Sequence, residues 1–436
     1  MIALLATAAA ALGSTGALTE RGCVADPTNN PDACTQTADG LDGVRSPIVS
    51  PDGKSVYAAG YGDNALVRFK RDRTTGALTP KGCTAEPDGN IDHCAQTAKA
   101  LASVGAVAVS PNGRSVYAAG ENANAIVRFE RNTTNGALTP KGCIGDVDHN
   151  PDNCAKTAKG LDDPEGIAVS PDGRSVYVTA YNDEALVRFN RDRTTGALTP
   201  KGCIAEVGSG NNPDHCGQRA GGLNEPYYGS VAVSPDGTSV YTAGSAGSSI
   251  GRFKRDTSTG ALTPKGCIAD AANNPEGCGR TAAQLNNPYA VALSGDGKSL
   301  YAADYGNSAV IRFRRKGTGA LVPSGCVADA AHNPGGCAQT APGLYGTQWV
   351  AASEDGRSVY AAGTIDNAVV RLHRDKTTGA LAPRGCVADP AHNPGGCVQT
   401  APGLDGVQTF ALSDDGKSLY AAGTPDNAIV RFNRAP

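Results

Sequence analysis

A turn motif, S-P-D-G or a close variant, recurs seven times and ends at Gly53, Gly113, Gly173, Gly237, Gly297, Gly356 and Gly416. The intervals are 60, 60, 64, 60, 59 and 60 residues. Each copy continues alike, as in S-V-Y-A-A-G-E-N-A-N-A-I-V-R-F-E-R-N-T-T-N-G-A-L-T-P-K-G-C from Ser115 to Cys143. A fixed period of this size means units that cannot bury their apolar faces alone and must stack on their neighbours.

Within a unit, short apolar runs such as 166–169 and 176–179 are separated by Asp-Gly or Thr-Gly turns, and 185–189 and 196–199 complete the set. That spacing predicts four antiparallel strands, A to D, per unit. No stretch sustains a 3.6-residue apolar period, so the chain reads as all-β. Four-stranded units arranged radially make a β-propeller, which leaves only short edges exposed. The termini predict ring closure. The chain opens with an orphan strand D at 16–19 and ends with a strand C at 429–432 that lacks its own D, so the N-terminal strand would latch the seventh blade.

The phrases V-S-P-D-G-x-S-V-Y and V-R-F-x-R-D-x-T-T-G-A-L-T resemble the seven-bladed lactonase-like propellers and related YVTN-type repeats. That group includes 6-phosphogluconolactonases and carboxymuconate cyclases. Tyr177-Val178-Thr179 is close to the namesake tetrapeptide, although Ala180 replaces its Asn. The resemblance covers residues 16–436 and implies the fold. For activity it is weaker, because the matching residues are turn and core positions. The channel histidine associated with the cyclase branch has no counterpart, since five of the six histidines sit in the Cys loops and His373 lies on an outer strand.

The single propeller is thus expected to span 16–436, with 1–15 a signal-peptide remnant or tail. The apolar run opening the chain is far shorter than the ~20 residues that cross a bilayer. No transmembrane segment is expected. Fourteen cysteines favour an oxidising compartment, secreted or cell-surface. They pair as Cys23-Cys34, Cys83-Cys94, Cys143-Cys154, Cys203-Cys216, Cys267-Cys278, Cys326-Cys337 and Cys386-Cys397, six at a spacing of 11 and one at 13. Each would pin a loop between one strand D and the next strand A. Charge is balanced, 39 basic against 42 acidic residues, and interleaved, which excludes the concentrated basic footprint of a nucleic-acid partner.

Columns that repeat in every unit build the ring. Tyr57 and its six equivalents, and Phe69 with its equivalents, are expected as inter-blade core. The column of Arg68 is expected as repeated ion pairs or a solvated edge. Asp146, Asp148, Asn150 and Asp152 alternate like calcium-loop ligands, a weak metal candidate, since they lack the Gly and distant Glu of an EF-hand. No cofactor is otherwise indicated.

Columns that vary point to function. At the start of strand A the seven copies read Arg45, Gly105, Glu165, Gly229, Tyr289, Gln348 and Gln408. After strand B they read Tyr61, Glu121, Tyr181, Ser245, Tyr305, Thr364 and Thr424, and Asp304 replaces a Gly in the fifth copy. Both columns belong to one face, at the channel mouth. Tyr61, Tyr181, Tyr228, Tyr289, Tyr305, Tyr345 and the lone tryptophan, Trp349, gather there as candidate ligand-binding residues. Arg45, Glu165, Asp304, Gln348 and Gln408 form the polar set available for catalysis. One reading is a non-catalytic scaffold binding a glycan, small molecule or extracellular protein on this face. The alternative is a lactonase-like hydrolase or ring-opening enzyme. The sequence leaves open whether the protein is an enzyme.

Overall fold

The computed structural model describes residues 15–90, 92–207 and 214–436. The signal-peptide expectation lies outside them. Seven sheets form a closed seven-bladed propeller. In blade 2, strand A is Val104–Val109, B is Ser115–Gly120, C is Ala125–Arg131 and D is Leu138–Asp146. The other blades repeat this plan at residues 44–97, 164–220, 231–281, 288–341 and 347–400. Blade 7 takes A, B and C from 407–434 and D from the N-terminal Leu18–Ala25. Leu18 pairs with Arg434 and Ala25 with Ala428, so the predicted latch is present.

The expected four strands per blade need one addition. Every sheet has a fifth strand, two or three residues long, such as Lys156–Ala158, which runs parallel to strand D. All seven predicted disulfides are formed, with no free cysteine among the described residues. Each ties strand D to the end of the loop that follows it, and the chain re-enters there as the fifth strand. The extra strand covers an outer edge that would otherwise offer unpaired backbone groups to another chain.

Burial explains the composition of each strand. Strand B is covered on both sides by neighbouring blades and is wholly buried, hence S-V-Y-A-A-G with no polar alternation. The strand-B tyrosines are fully buried, and each hydroxyl bonds a carbonyl in the next blade's C–D turn, as Tyr57 does to Gly136. The same hydroxyl accepts from a second arginine column at the end of strand C. Arg131 donates Nε to Tyr57, Nη1 to Gly113 of its own blade and Nη2 to Asp52 of the preceding one. This clasp closes the ring through Arg71, Tyr420 and Asp415. The Arg68 column, expected as ion pairs or a solvated edge, lies at the edge and donates to backbone carbonyls, Arg68 to Asn135 and Lys81.

Candidate functional site

The A–B and C–D turns occupy one face, here the turn face, and the B–C turns and strand-A starts occupy the other. The variable strand-A column reaches the channel mouth by a specific device. In blades 2, 3, 5, 6 and 7 the register of A against B skips the residues Gly105, Glu165, Tyr289, Gln348 and Gln408, and in blade 1 it shifts just after Arg45. A bulged residue is unpaired in the ladder and re-aimed, and in blade 3 this sets Glu165 against Glu121 of blade 2. Two positions earlier the backbone is left-handed in six of the blades, at Gly43, Ser103, Asp163, Asn287, Gly346 and Gly406. An Asn or Ser from the preceding B–C turn holds that residue, as the Asn124 side chain accepts from the Asp163 N–H at 2.9 Å.

On the side of the mouth formed by blades 1 to 4, six side chains converge. The Arg45 guanidinium lies 4.0 Å from the centre of the Tyr61 ring and 4.7 Å from that of Tyr228, donates to the Tyr228 hydroxyl, and stands 3.9 Å from Glu121 Oε1. Glu121, Asp163 and Glu165 bring carboxylate oxygens within 4.8 Å of one another. Glu121 and Glu165 are only 5% and 4% exposed. Among the described residues, Glu121 Oε1, Glu165 Oε2 and Arg45 Nε lack hydrogen-bond partners. Gly105 makes the crowding possible, because a Cβ there would fall against the Glu121 carboxylate and 3.0 Å from the Tyr228 ring.

This crowding sets the protonation states. Burial pushes the Glu121 carboxyl up to about 8 against the pull of Arg45. Burial, with the charges of Glu121 and Asp163 added, holds Glu165 well above the usual carboxylate range. Asp163 is raised to about 6 by burial and by neighbouring Asp162. Tyr228 is also held as the neutral phenol by burial and by the two glutamates. Perturbed groups converging at a cleft mark a candidate functional site.

Beside this cluster runs a ladder of partly exposed rings. Tyr181 meets Tyr227 at 5.2 Å, Tyr227 stacks on Tyr289 at 4.3 Å, and Tyr289 on Tyr305 at 5.0 Å. Of the aromatic set predicted from sequence, Tyr61 and Tyr228 therefore join the acidic cluster, while Tyr181, Tyr289 and Tyr305 join the ladder. Tyr345 belongs to neither and stacks on His332 of a Cys loop at 3.7 Å.

Trp349 packs between the blade 5/6 and blade 6/7 cores and donates its indole N–H to the Phe410 carbonyl at 3.0 Å. Its ring reaches Gly229 of blade 4, where a Cβ would lie 2.5 Å from Cζ3. Arg45 reaches Tyr228, the residue before Gly229, so both side chains meet blade 4 at adjacent positions.

Asp304 does not converge with Arg45 and Glu165. It is fully buried beneath the blade 5 B–C turn and accepts from the backbone N–H groups of Asn286 and Asn307. In blade 1 the Asp63 carboxylate takes the equivalent bond from Asp42. Blade 5 has Asn307 in the Asp63 position, so Asp304 supplies the carboxylate from three residues earlier. Gln348 and Gln408 are half-buried on the strands of blades 6 and 7, with Gln408 Oε1 unpartnered.

The predicted calcium set also disperses. Asp146 turns inward to Asp183 and Asp214, the Asn150 side chain brackets Cys154, and Asp152 interacts with Glu86. Short Asx bonds within the loop compete for the oxygens that a shared ion would need. Carboxylate oxygens gather at Asp146/Asp183/Asp214 and at two equivalent triads, and separately at Glu121, Asp163 and Glu165. Sequence reasoning noted Glu121 in its column without singling it out, placed Tyr227 beside the variable loops without choosing it as a binding residue, and missed Asp163. The signal for Asp163 lay in its position two residues before Glu165.

Fold and site together define a seven-bladed β-propeller whose near-identical units carry one unsymmetrical, acidic, tyrosine-lined channel mouth. The sequence matches the family described as "Lactonase, 7-bladed beta-propeller" over residues 35–149 and 86–212, so the likeness seen in the repeat phrases stands. No curated protein matches it in sequence.

Similar solved structures include a 6-phosphogluconolactonase candidate from Bacteroides fragilis, at 19% identity and TM-score 0.55, covering 78% of this chain and 82% of that one. The periplasmic gluconolactonase of Pseudomonas aeruginosa matches at 14% identity and TM-score 0.56, over 86% and 93% of the two chains. The hydrazine synthase of Kuenenia stuttgartiensis matches equally well, at 17% identity and TM-score 0.55 over 90% and 96%. Likeness at these identities establishes the fold alone, and chemistry has to be argued from the site. Among the described residues no helix is long and apolar enough to cross a membrane. Seven disulfides accord with an extracellular or periplasmic setting.

Proposed function

We propose that the protein is a secreted hydrolase that opens a lactone or similar cyclic ester at the channel mouth. The observation that carries this is the convergence of Arg45, Glu121, Glu165 and Tyr228 from four blades. A scaffold has no need of buried carboxyls with strongly raised proton affinity beside a guanidinium. Ester hydrolysis needs both a group that removes a proton from water and donors facing the carbonyl oxygen. Asp163, raised only to about 6, is the member of the acidic trio that is ionised near neutral pH and supplies the first. Arg45 and the Tyr228 hydroxyl supply the second, because their donor hydrogens can turn to the oxyanion as the carbonyl becomes tetrahedral. The attacking water gives its proton to Asp163 and adds to the carbonyl carbon, and the ring C–O bond breaks. The released alkoxide takes a proton from the protonated Glu121 or Glu165 to leave a hydroxy acid. The family match over residues 35–212 and the names of the structural neighbours support a lactone as the substrate class.

The test is hydrolysis of a panel of sugar and aliphatic lactones by the wild type and by Glu165→Gln and Arg45→Ala. The expected result is turnover of at least one lactone and a loss of about 100-fold or more in kcat/KM for each variant. Wild-type rates no higher than those of the variants would reject the reading.

A further inference from the structure

The carboxylate trio leaves a charge problem that one guanidinium does not solve. Arg45 is the one Lys or Arg in the strand-A starts and B–C turns that make up this face. The same segments carry Asp42, Asp162, Glu184 and Glu225 in addition to the trio. Three carboxylates against one guanidinium leave two negative charges uncompensated in a largely buried pocket. Such charges are neutralised by protons or by a cation, because ionised groups are not left unpaired away from water.

We infer that Glu121, Asp163 and Glu165 form a binding site for one hard divalent cation of calcium type at the channel mouth. Three features carry this beyond a mere cluster of acids. First, Glu121 Oε1 and Glu165 Oε2 are buried without hydrogen-bond partners, and the two side chains are nine-tenths or more buried. Second, the donor atoms lie within 4.8 Å of one another. That is the span of two oxygens on opposite sides of a calcium ion at about 2.4 Å each. Third, the donors are all carboxylate oxygens, with no nitrogen or sulfur, which selects calcium or magnesium over zinc or copper. A divalent ion would bring the trio and Arg45 to neutrality.

The trio is also unlike the other acidic groups of the fold. The triads Asp26/Asp63/Asp92 and Asp146/Asp183/Asp214 recur from blade to blade and have backbone N–H groups directed at their carboxylates. Glu121 and Glu165 accept no such backbone bond among the described residues and belong to columns that do not repeat.

This inference concerns the site of the lactone reading but can be tested without substrate. Full-length protein freed of metal with a chelator is titrated with terbium, whose emission Tyr61 and Tyr228 would sensitise, and then with calcium. The expected result is saturable emission at one equivalent, displacement by calcium, and an affinity at least tenfold weaker in Glu165→Gln and Asp163→Asn. Asp63→Asn, in a rim triad, should leave it unchanged. Circular dichroism and a cooperative melt establish that each variant is folded. Absence of sensitised emission in the wild type, or emission unchanged in both trio variants, overturns the inference. A protein that binds calcium and opens no lactone keeps this inference and loses the hydrolase reading. One that opens lactones and binds no cation does the reverse.

Discussion

The two faces of the ring treat their acids in opposite ways. On the turn face, partial burial raises Asp52, Asp172, Asp296 and Asp415, but Ser hydroxyls, backbone N–H groups and the clasp arginines outweigh it and hold each carboxyl below its ordinary value. On the mouth face, burial raises Asp63, Asp214 and Asp426 to about 7 and Glu121 to about 8. The A–B turn aspartates Asp52, Asp172, Asp236, Asp296, Asp355 and Asp415 each meet a guanidinium from the next blade, whereas the mouth has Arg45 alone. The repeat holds the ring together on one face, and the departures from it are free to build a site on the other. A linkage argument separates the two. The depressed aspartates stabilise the fold above their unfolded value near 3.8, and that stability is lost as pH falls below it. The raised carboxyls keep protons that the unfolded chain has released, so they cost stability as pH rises from about 4.5 to about 8.

The largest break should come from the turn face. Arg255 is fully buried and bonds Tyr177, Gly237, Asp172 and Ser175. Arg255→Met would leave Asp172 and the Tyr177 hydroxyl without their partner at the seam of blades 3 and 4. The expected cost is about 3 kcal/mol, the low end for a broken buried pair because the Asp172 side chain is 31% exposed. Urea unfolding at pH 7 measures it. A loss below about 1 kcal/mol would mean that the clasps are not what holds the blades together.

Glu121→Gln should act in the opposite direction. Without added divalent cation, replacing a carboxyl that resists ionisation by a neutral isostere stabilises the folded state by roughly 1 kcal/mol at pH 8 and by little at pH 5. Melting temperatures at the two pH values read this directly. A Glu121→Gln variant that melts lower at both would show that the Glu121 charge is satisfied by a partner it then loses.

Most of the fold was legible because the signals for strand order are local: the Asp-Gly and Thr-Gly turns, the wholly apolar strand B and the orphan strands at the two ends. The fifth strand was not. Gln96–Thr97 is two exposed polar residues with no apolar period, and it pairs with strand D only because the Cys83–Cys94 loop brings the chain back there. The buried role of Arg131 and its equivalents was not legible, because nothing in V-R-F-x-R says which arginine is buried. The mouth column was visible as variation, but convergence was not. Glu121 and Glu165 come from different blades and from different connections, and their proximity depends on the bulge at Glu165 and the missing Cβ of Gly105. Asp304 misled for a physical reason. A carboxylate displacing a Gly looked like a gain, whereas it compensates for Asn307 in the same turn.

The smallest test uses a difference that the repeat already contains. At the seam of blades 2 and 3 the turn residue is Asn112, and Arg191 bonds its side-chain oxygen at 3.2 Å while keeping Tyr117, Gly173 and Ser115 as partners. The neutral amide makes one longer bond where Asp52 and Asp172 each take two from Nη2. Asn112→Asp should therefore stabilise the protein at pH 7, but by less than about 1 kcal/mol, because the equivalent aspartates are a quarter or more exposed and water screens the pair. The new carboxyl would titrate below its unfolded value near 3.8. The gain should then be full at pH 6 and vanish towards pH 3, whereas a gain from packing alone would survive acidification. Urea unfolding of Asn112→Asp and wild type at the two pH values distinguishes these. A difference that persists at pH 3 would show that the turn face draws its strength from shape and neutral hydrogen bonds, and that the charge contrast between the faces is incidental to stability.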